Sequence, residues 1–205
     1  TCKQAAKAAF ATRLGKAYIK NVGFDGKLPP SESLRRLDIL SRLEKGTLCY
    51  EKTWGFGTVK RVDDFYERVT IDFAGKPRHE MSMAYAAETL ELISDDHLLA
   101  RLHQDAEALQ KLVKSDAAEV ARITLRSYGS TSALDLKDRL VPSVMPEADW
   151  KSFWDAARKG LKKDPLVHIP ARRSEPITLL GSADEHVNTQ FLELADVRDP
   201  EGILK

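Results

Sequence analysis

The side chains best placed to bind or to do chemistry lie between Cys49 and Leu92. Lys60, Arg61, Arg68, Lys76, Arg78 and His79 share this stretch with Trp54, Phe56, Phe65 and Tyr66. Cations beside aromatic rings can hold a nucleic-acid strand, the charges on phosphate and the rings on bases. Trp and Arg are also the residues that anchor protein interfaces. Asp63, Asp64, Glu67, Asp72 and Glu80 are interleaved with the cations and cancel much of their field. Phosphate affinity rests on summed, unopposed charge, so nucleic acid is the second reading and a solvated or partner-facing surface the first. A second basic group is Arg158, Lys159, Lys162, Lys163, Arg172 and Arg173.

Other chemistries find less. The histidines are His79, His97, His103, His168 and His186; His97 and His103 are six apart, so a helix would point them different ways. Neither cysteine lies in a paired ligand motif, and the expectation is no metal. There is no Gly-x-Ser-x-Gly and no phosphate loop ending in Gly-Lys-Ser/Thr. Gly55-Phe56-Gly57 lacks the third glycine of a dinucleotide fingerprint and is followed by a strand pattern where that motif needs a helix. The pairs Asp63-Asp64 and Asp95-Asp96 read as turn and cap residues. The expectation is a chain that is not an enzyme, with no cofactor and no small-molecule substrate.

Composition sets the frame. The 205 residues are 42% hydrophobic and 31% charged, ordinary for a protein able to bury a core, and the formal net charge is +1. No apolar run approaches the roughly 18 residues that cross a bilayer, so no membrane span is expected. Nothing reads as a secretion leader. Cys2 and Cys49 do not make a disulfide framework, which points to a reducing cytoplasm. The chain opens Thr1-Cys2-Lys3 without an initiator Met, as a fragment of a longer protein would.

The elements that must position these residues follow from periodicity. Val69, Ile71 and Phe73 alternate with Arg68, Thr70 and Asp72, a strand with one buried and one wet face. The run 54–62 reads as a second strand, with Gly55 and Gly57 marking a sharp turn or a close approach. Ser82 opens a short helix over 83–88, and a last strand covers 90–93. Three or four short strands in about 45 residues suit a small, strongly bent barrel of the SH3 or Tudor kind. Ahead of them, 3–20 and 34–45 read as helices, with Ser31 or Ser33 as cap and Leu34, Leu37, Ile39, Leu40 and Leu43 as the apolar stripe.

Behind the barrel the texture turns helical. Asp95 or Asp96, Asp105, Asp116 and Ser132 each precede an apolar-periodic run, and Gly129 closes one. Trp150, Phe153, Trp154, Ala157 and Leu161 are spaced by three and four, which makes Trp150 and Trp154 core anchors. Short extended segments follow at 166–170 and 177–180, then a helix at 184–195. Trp54, before a glycine turn, fits the core or the exposed centre of a partner site equally well.

The block Trp54-Gly55-Phe56-Gly57-Thr58-Val59 with Ile71-Asp72-Phe73 resembles the Tudor-like barrels of UvrD/PcrA-type helicase carboxy-terminal modules and CarD-like regulators. Both groups use that module to contact RNA polymerase. A longer ordered set adds Leu34-Arg35-Arg36-Leu37, His79-Glu80-Met81-Ser82, Tyr85-Ala86-Ala87 and Asp96-His97-Leu98-Leu99. It continues through Trp150-Lys151-Ser152-Phe153-Trp154 and Leu161-Lys162-Lys163-Asp164-Pro165. Together these resemble the amino-terminal extension of bacterial Gre-type transcription elongation and transcript cleavage factors, over about 34–180. Such factors act through a coiled-coil hairpin with an acidic tip. No pair of heptad helices with such a tip exists here, so no cleavage residue carries over.

The expectation is therefore an α+β chain: a helical lead (1–46), a Tudor/SH3-like barrel (47–95), a helical module (96–165), and an extended tail with a terminal helix (166–205). The resemblance implies an accessory region that docks on RNA polymerase through Trp54, Phe56, Lys60, Arg61, Arg68 and Arg78. DNA or RNA binding and a helical scaffold without a specific ligand are the alternatives.

Overall fold

A computed structural model of the protein describes residues 4, 13–24, 28–170, 172 and 174–180. It divides into two compact units, Thr1–Asp95 and Asp96–Lys205. Each is α-helical in part, and the first carries a five-stranded antiparallel sheet, so the chain is α+β.

In the first unit, helices α1 (Arg13–Asn21) and α2 (Pro30–Ser41) precede the sheet. Helix α2 starts two residues earlier than a Ser31 cap, and four earlier than a Ser33 cap, would place it: Pro29 is the cap residue, and Pro30 occupies the first turn, where its missing N–H costs nothing. Leu37, Ile39, Leu40 and Leu43 are buried as the stripe requires, whereas Leu34 is exposed. The strands are β1 (Leu48–Glu51), β2 (Gly55–Asp63), β3 (Arg68–Phe73), β4 (His79–Ser82) and β5 (Glu91–Ile93). Helix α3 (Met83–Thr89) sits between the last two, capped by Ser82 Oγ accepting from the Tyr85 N–H at 3.2 Å.

The strands pair in the order β4-β3-β2-β1-β5, all antiparallel. The sheet is not closed into the expected barrel. Closure needs the outer strands to pair. Here Ser82 turns the chain into α3 directly after four residues of β4, and three-residue β5 returns to β1 instead. Val69, Ile71 and Phe73 are buried as the alternation predicts. Gly57 is required for a close approach: a Cβ there would lie 2.5 Å from Phe73 Cδ1. Both lead helices bury residues in the same core as the sheet: Tyr18 from α1, Val22 just after it, and Leu40 from α2 join Cys49, Val59 and Ile71.

The second unit contains α4 (Leu98–Gln104), α5 (Ala106–Ser115), α6 (Ala117–Tyr128), α7 (Ala133–Leu140), a 3-10 turn (Glu147–Asp149) and α8 (Trp150–Leu161). Asp105, Asp116 and Ser132 cap their helices, and Ser132 with Asp135 forms a full capping box. The first cap differs from expectation: His97, not an aspartate, accepts from the Leu99 N–H through Nδ1 at 3.1 Å. Gly129 ends α6 at φ 76. The extended segments form a two-stranded ribbon of β6 (Val167–His168) and β7 (Thr178–Leu179), and Ile177 pairs with Thr131. Val167 and Ile177 complete a core with Leu98, Ile123, Leu136 and Leu161. Phe153 is the buried aromatic of α8, while Trp150 and Trp154 only lean on that core. Arg173 and the expected helix at 184–195 lie outside the described residues.

Among the described residues no helix is long and apolar enough to cross a membrane.

Candidate functional site

The site grows from a flaw in a strand. The β2–β3 register shifts between Val59 and Arg61, a β-bulge at Lys60. In a regular strand adjacent residues face opposite ways; a bulge places two on one side. Val59 is buried, and Lys60 and Arg61 are both exposed. Arg68 opens β3 on the same wet face, opposite Asp63. Arg78 precedes β4 with a left-handed backbone (φ 54), held by its N–H donating to Asp72 Oδ1 at 2.8 Å.

These residues line two adjoining shallow grooves over β2, β3 and β4. One, of about 600 Å³, holds Lys45, Lys60, Arg61, Asp72 and Arg78. The other, of about 390 Å³, holds Arg61, Asp63, Tyr66, Arg68 and Glu80. Thr70 and Glu80 belong to both. Five cations thus face three carboxylates, a modest positive excess. Lys60 Nζ lies 3.4 Å from Asp72 Oδ2, Arg68 Nη1 lies 3.3 Å from Glu80 Oε2, and Arg61 pairs with Asp63. The Arg78 N–H, then Lys60, hold the Asp72 carboxyl below its ordinary range. Exposed pairs of this kind contribute little to stability, so they can be exchanged for a partner's charges at small cost. Lys45 has no ion pair among the described residues.

Four of the six expected residues, Lys60, Arg61, Arg68 and Arg78, come together on this face. The two aromatics do not line it. Phe56 is buried, and Trp54 is half-buried against the core. The exposed rings are instead Phe65 and Tyr66, at 67% and 68%, packed edge-to-face in the β2–β3 turn. Sequence reasoning places both rings beside the cations but not among the six docking residues; the Asp63-Asp64 turn signal is what marks them as exposed. Lys45, from the loop before β1, carries no local signal. The surface is shallow, charged and open, with exposed Tyr66 at its edge.

Comparison with known proteins supplies a context. Residues 99–183 match the family described as the GRAD helix-turn-helix domain. The chain is 33% identical over 157 residues to the transcription elongation factor GreA of Chlamydia pneumoniae, covering 76% of this chain and 22% of that protein. It is 27% identical over 163 residues to GreA of Chlamydia trachomatis, 78% of this chain and 23% of that protein. It is 30% identical over 122 residues to GreA of Borreliella burgdorferi, 59% of this chain and 13% of that protein. The chain is thus homologous to part of GreA-type elongation factors and spans under a quarter of the length of these relatives. No solved structure matches it.

Proposed function

We propose that this chain is a non-catalytic accessory region of a bacterial, cytoplasmic GreA-type transcription elongation factor and that it docks on RNA polymerase. One observation carries the reading: the 157-residue alignment to a GreA exceeds the length of either unit, so the homology takes in both. An elongation factor acts on transcribing polymerase, and a region kept with it belongs in that assembly.

The sheet face supports the docking role. Lys60, Arg61, Arg68 and Arg78 offer exchangeable cations beside exposed Tyr66, while Trp54 packs against the core of the sheet. Five short strands, a bulge and a short helix before the last strand support a Tudor/SH3-like module. Its outer strands β4 and β5 present N–H and C=O groups to which a partner strand can pair.

The test is capture of purified bacterial RNA polymerase core by the chain, with and without nuclease. Nuclease-resistant capture, lost on Lys60→Glu with Arg61→Glu while circular dichroism is unchanged, is the expected result. Capture that disappears with nuclease would favour direct nucleic-acid binding, which the helix-turn-helix match over 99–183 also suggests. No capture at all would overturn the docking role.

A further inference from the structure

Helices α7 and α8 enclose a groove of about 580 Å³ that the sheet-face reading does not use. One wall is Leu134, 65% exposed, the most exposed large apolar side chain among the described residues of the second unit. The other is Trp150 and Trp154, whose rings stack at 5.8 Å and 8°. Leu134 facing two indoles across an open slot offers apolar area for a partner's side chain to cover, and Trp is enriched among interface anchors.

The rim shows what that cover is. Lys151 lines the groove, and Arg158, seven residues on along α8 and on the same side as Trp154, lines an adjoining recess that shares Ala133 and Trp154 with it and also holds the Arg172–Glu175 pair. Neither side chain has an ion pair or hydrogen bond among the described residues. Lys137, the second cation lining the groove, is held by Glu147 at 2.6 Å. Asp155 is the opposing charge on the rim. Two uncommitted cations beside an apolar slot complement carboxylates beside an apolar anchor.

We propose that the α7–α8 groove binds a short acidic peptide segment of another protein, with one or two aliphatic or aromatic side chains lodged between Leu134 and the Trp150–Trp154 stack. Its carboxylates pair with Lys151 and Arg158. A nucleic-acid strand fits less well. The indoles spend a face on each other, and Leu134 offers no ring on which a base could stack.

The experiment is selection of random peptides of about 12 residues displayed on phage against the immobilised full chain, followed by anisotropy titration of the best synthetic sequence. The expected pool carries Leu, Ile, Phe or Trp next to Asp and Glu. Its affinity should fall about ten-fold or more on Lys151→Glu with Arg158→Glu, and on Leu134→Asp, with circular dichroism unchanged. Arg61→Glu on the sheet face should leave it unaltered, which separates this site from the docking face above. An empty selection, a pool without acidic residues, or affinity unmoved by these variants would overturn the proposal. Displacement of the peptide by an oligodeoxythymidylate would also overturn it and assign the groove to single-stranded nucleic acid.

Discussion

Lys76 Nζ lies 4.5 Å from the centroid of the Trp54 ring, and the His79 ring approaches the same indole at 5.1 Å. The Trp54 carbonyl accepts from the Gly75 N–H at 3.2 Å. Trp54 therefore clamps the turn before β2 to the turn after β3, with a cation of its own chain over its ring. Burial, then the Lys76 charge, lowers the His79 imidazole below its ordinary value. A partner that used this indole would first have to move Lys76.

Trp54→Ala should then lower the stability of the first unit by about 2–4 kcal/mol, less than a fully buried Trp because the ring is half-exposed. Lys76→Ala should cost only about 0.5–1 kcal/mol, the scale of an exposed cation–π contact. Urea unfolding followed by far-ultraviolet circular dichroism measures both. An unmoved midpoint for Trp54→Ala would make the indole a free surface group.

Glu51 is a buried carboxylate at 3% exposure, and its Oε2 accepts from the Thr53 N–H at 2.7 Å and the Trp54 N–H at 3.0 Å. Removing it leaves these turn donors without their acceptor. Glu51→Ala should cost about 1–3 kcal/mol in the same unfolding assay, and Glu51→Gln, which keeps one acceptor oxygen, clearly less.

In the second unit a Cβ at Gly160 would lie 2.5 Å from the Ala118 Cβ. Helices α6 and α8 approach this closely only because position 160 has no side chain. Gly160→Val should destabilise by about 1–3 kcal/mol through overpacking. Ala118→Gly in the same chain should recover part of that loss, and the non-additivity in a double-mutant cycle by thermal unfolding reads the contact directly.

Much of the fold was legible wherever local chemistry decides it. The alternation in β3, the Ser82 and Ser132 caps and the Gly129 stop all act within a few residues. What failed was non-local. Barrel closure depends on which distant strands pair, and nothing in the short β4 and β5 segments encodes that choice. Leu34 fits a helical stripe but falls outside the packed face. The site was half legible. Charges at Lys60 and Arg61 were visible, but the bulge that turns both outward was not. The exchange of buried Phe56 for exposed Phe65 and Tyr66 follows from strand register, which a single sequence fixes poorly.

Cys49 has no exposed surface, and its Sγ lies 3.5 Å from the Gly57 carbonyl oxygen it faces. Burial pushes its thiol up to about 12, so almost no thiolate exists at neutral pH. In a Cys2→Ser background, where Cys49 is the remaining thiol, the folded chain should resist an aromatic disulfide reagent at pH 8 and react promptly in denaturant. Fast reaction of the folded chain would mean that the sheet opens readily around β1 and β2.

Glu32, in the first turn of α2, accepts from Arg35 Nε and Nη2, both at 2.8 Å, and from Arg36 Nε at 2.7 Å. These bonds, Arg35 first and Arg36 second, draw its carboxyl from an ordinary 4.5 down to about 2. With the folded value depressed, the unfolded chain takes up the proton first as acid is added. The stabilisation is therefore complete above pH 4.5, declines as pH falls from there, and is gone below about 2. Exposure to water and salt keeps it small. Glu32→Gln should thus lower the thermal midpoint slightly at pH 7, and the gap to the parent chain should narrow steadily between pH 4.5 and pH 3. Added salt should narrow it at neutral pH as well, because the same charges carry it. A gap that stayed constant across that acid range would assign the loss to helix packing rather than to the Arg35 and Arg36 pairs.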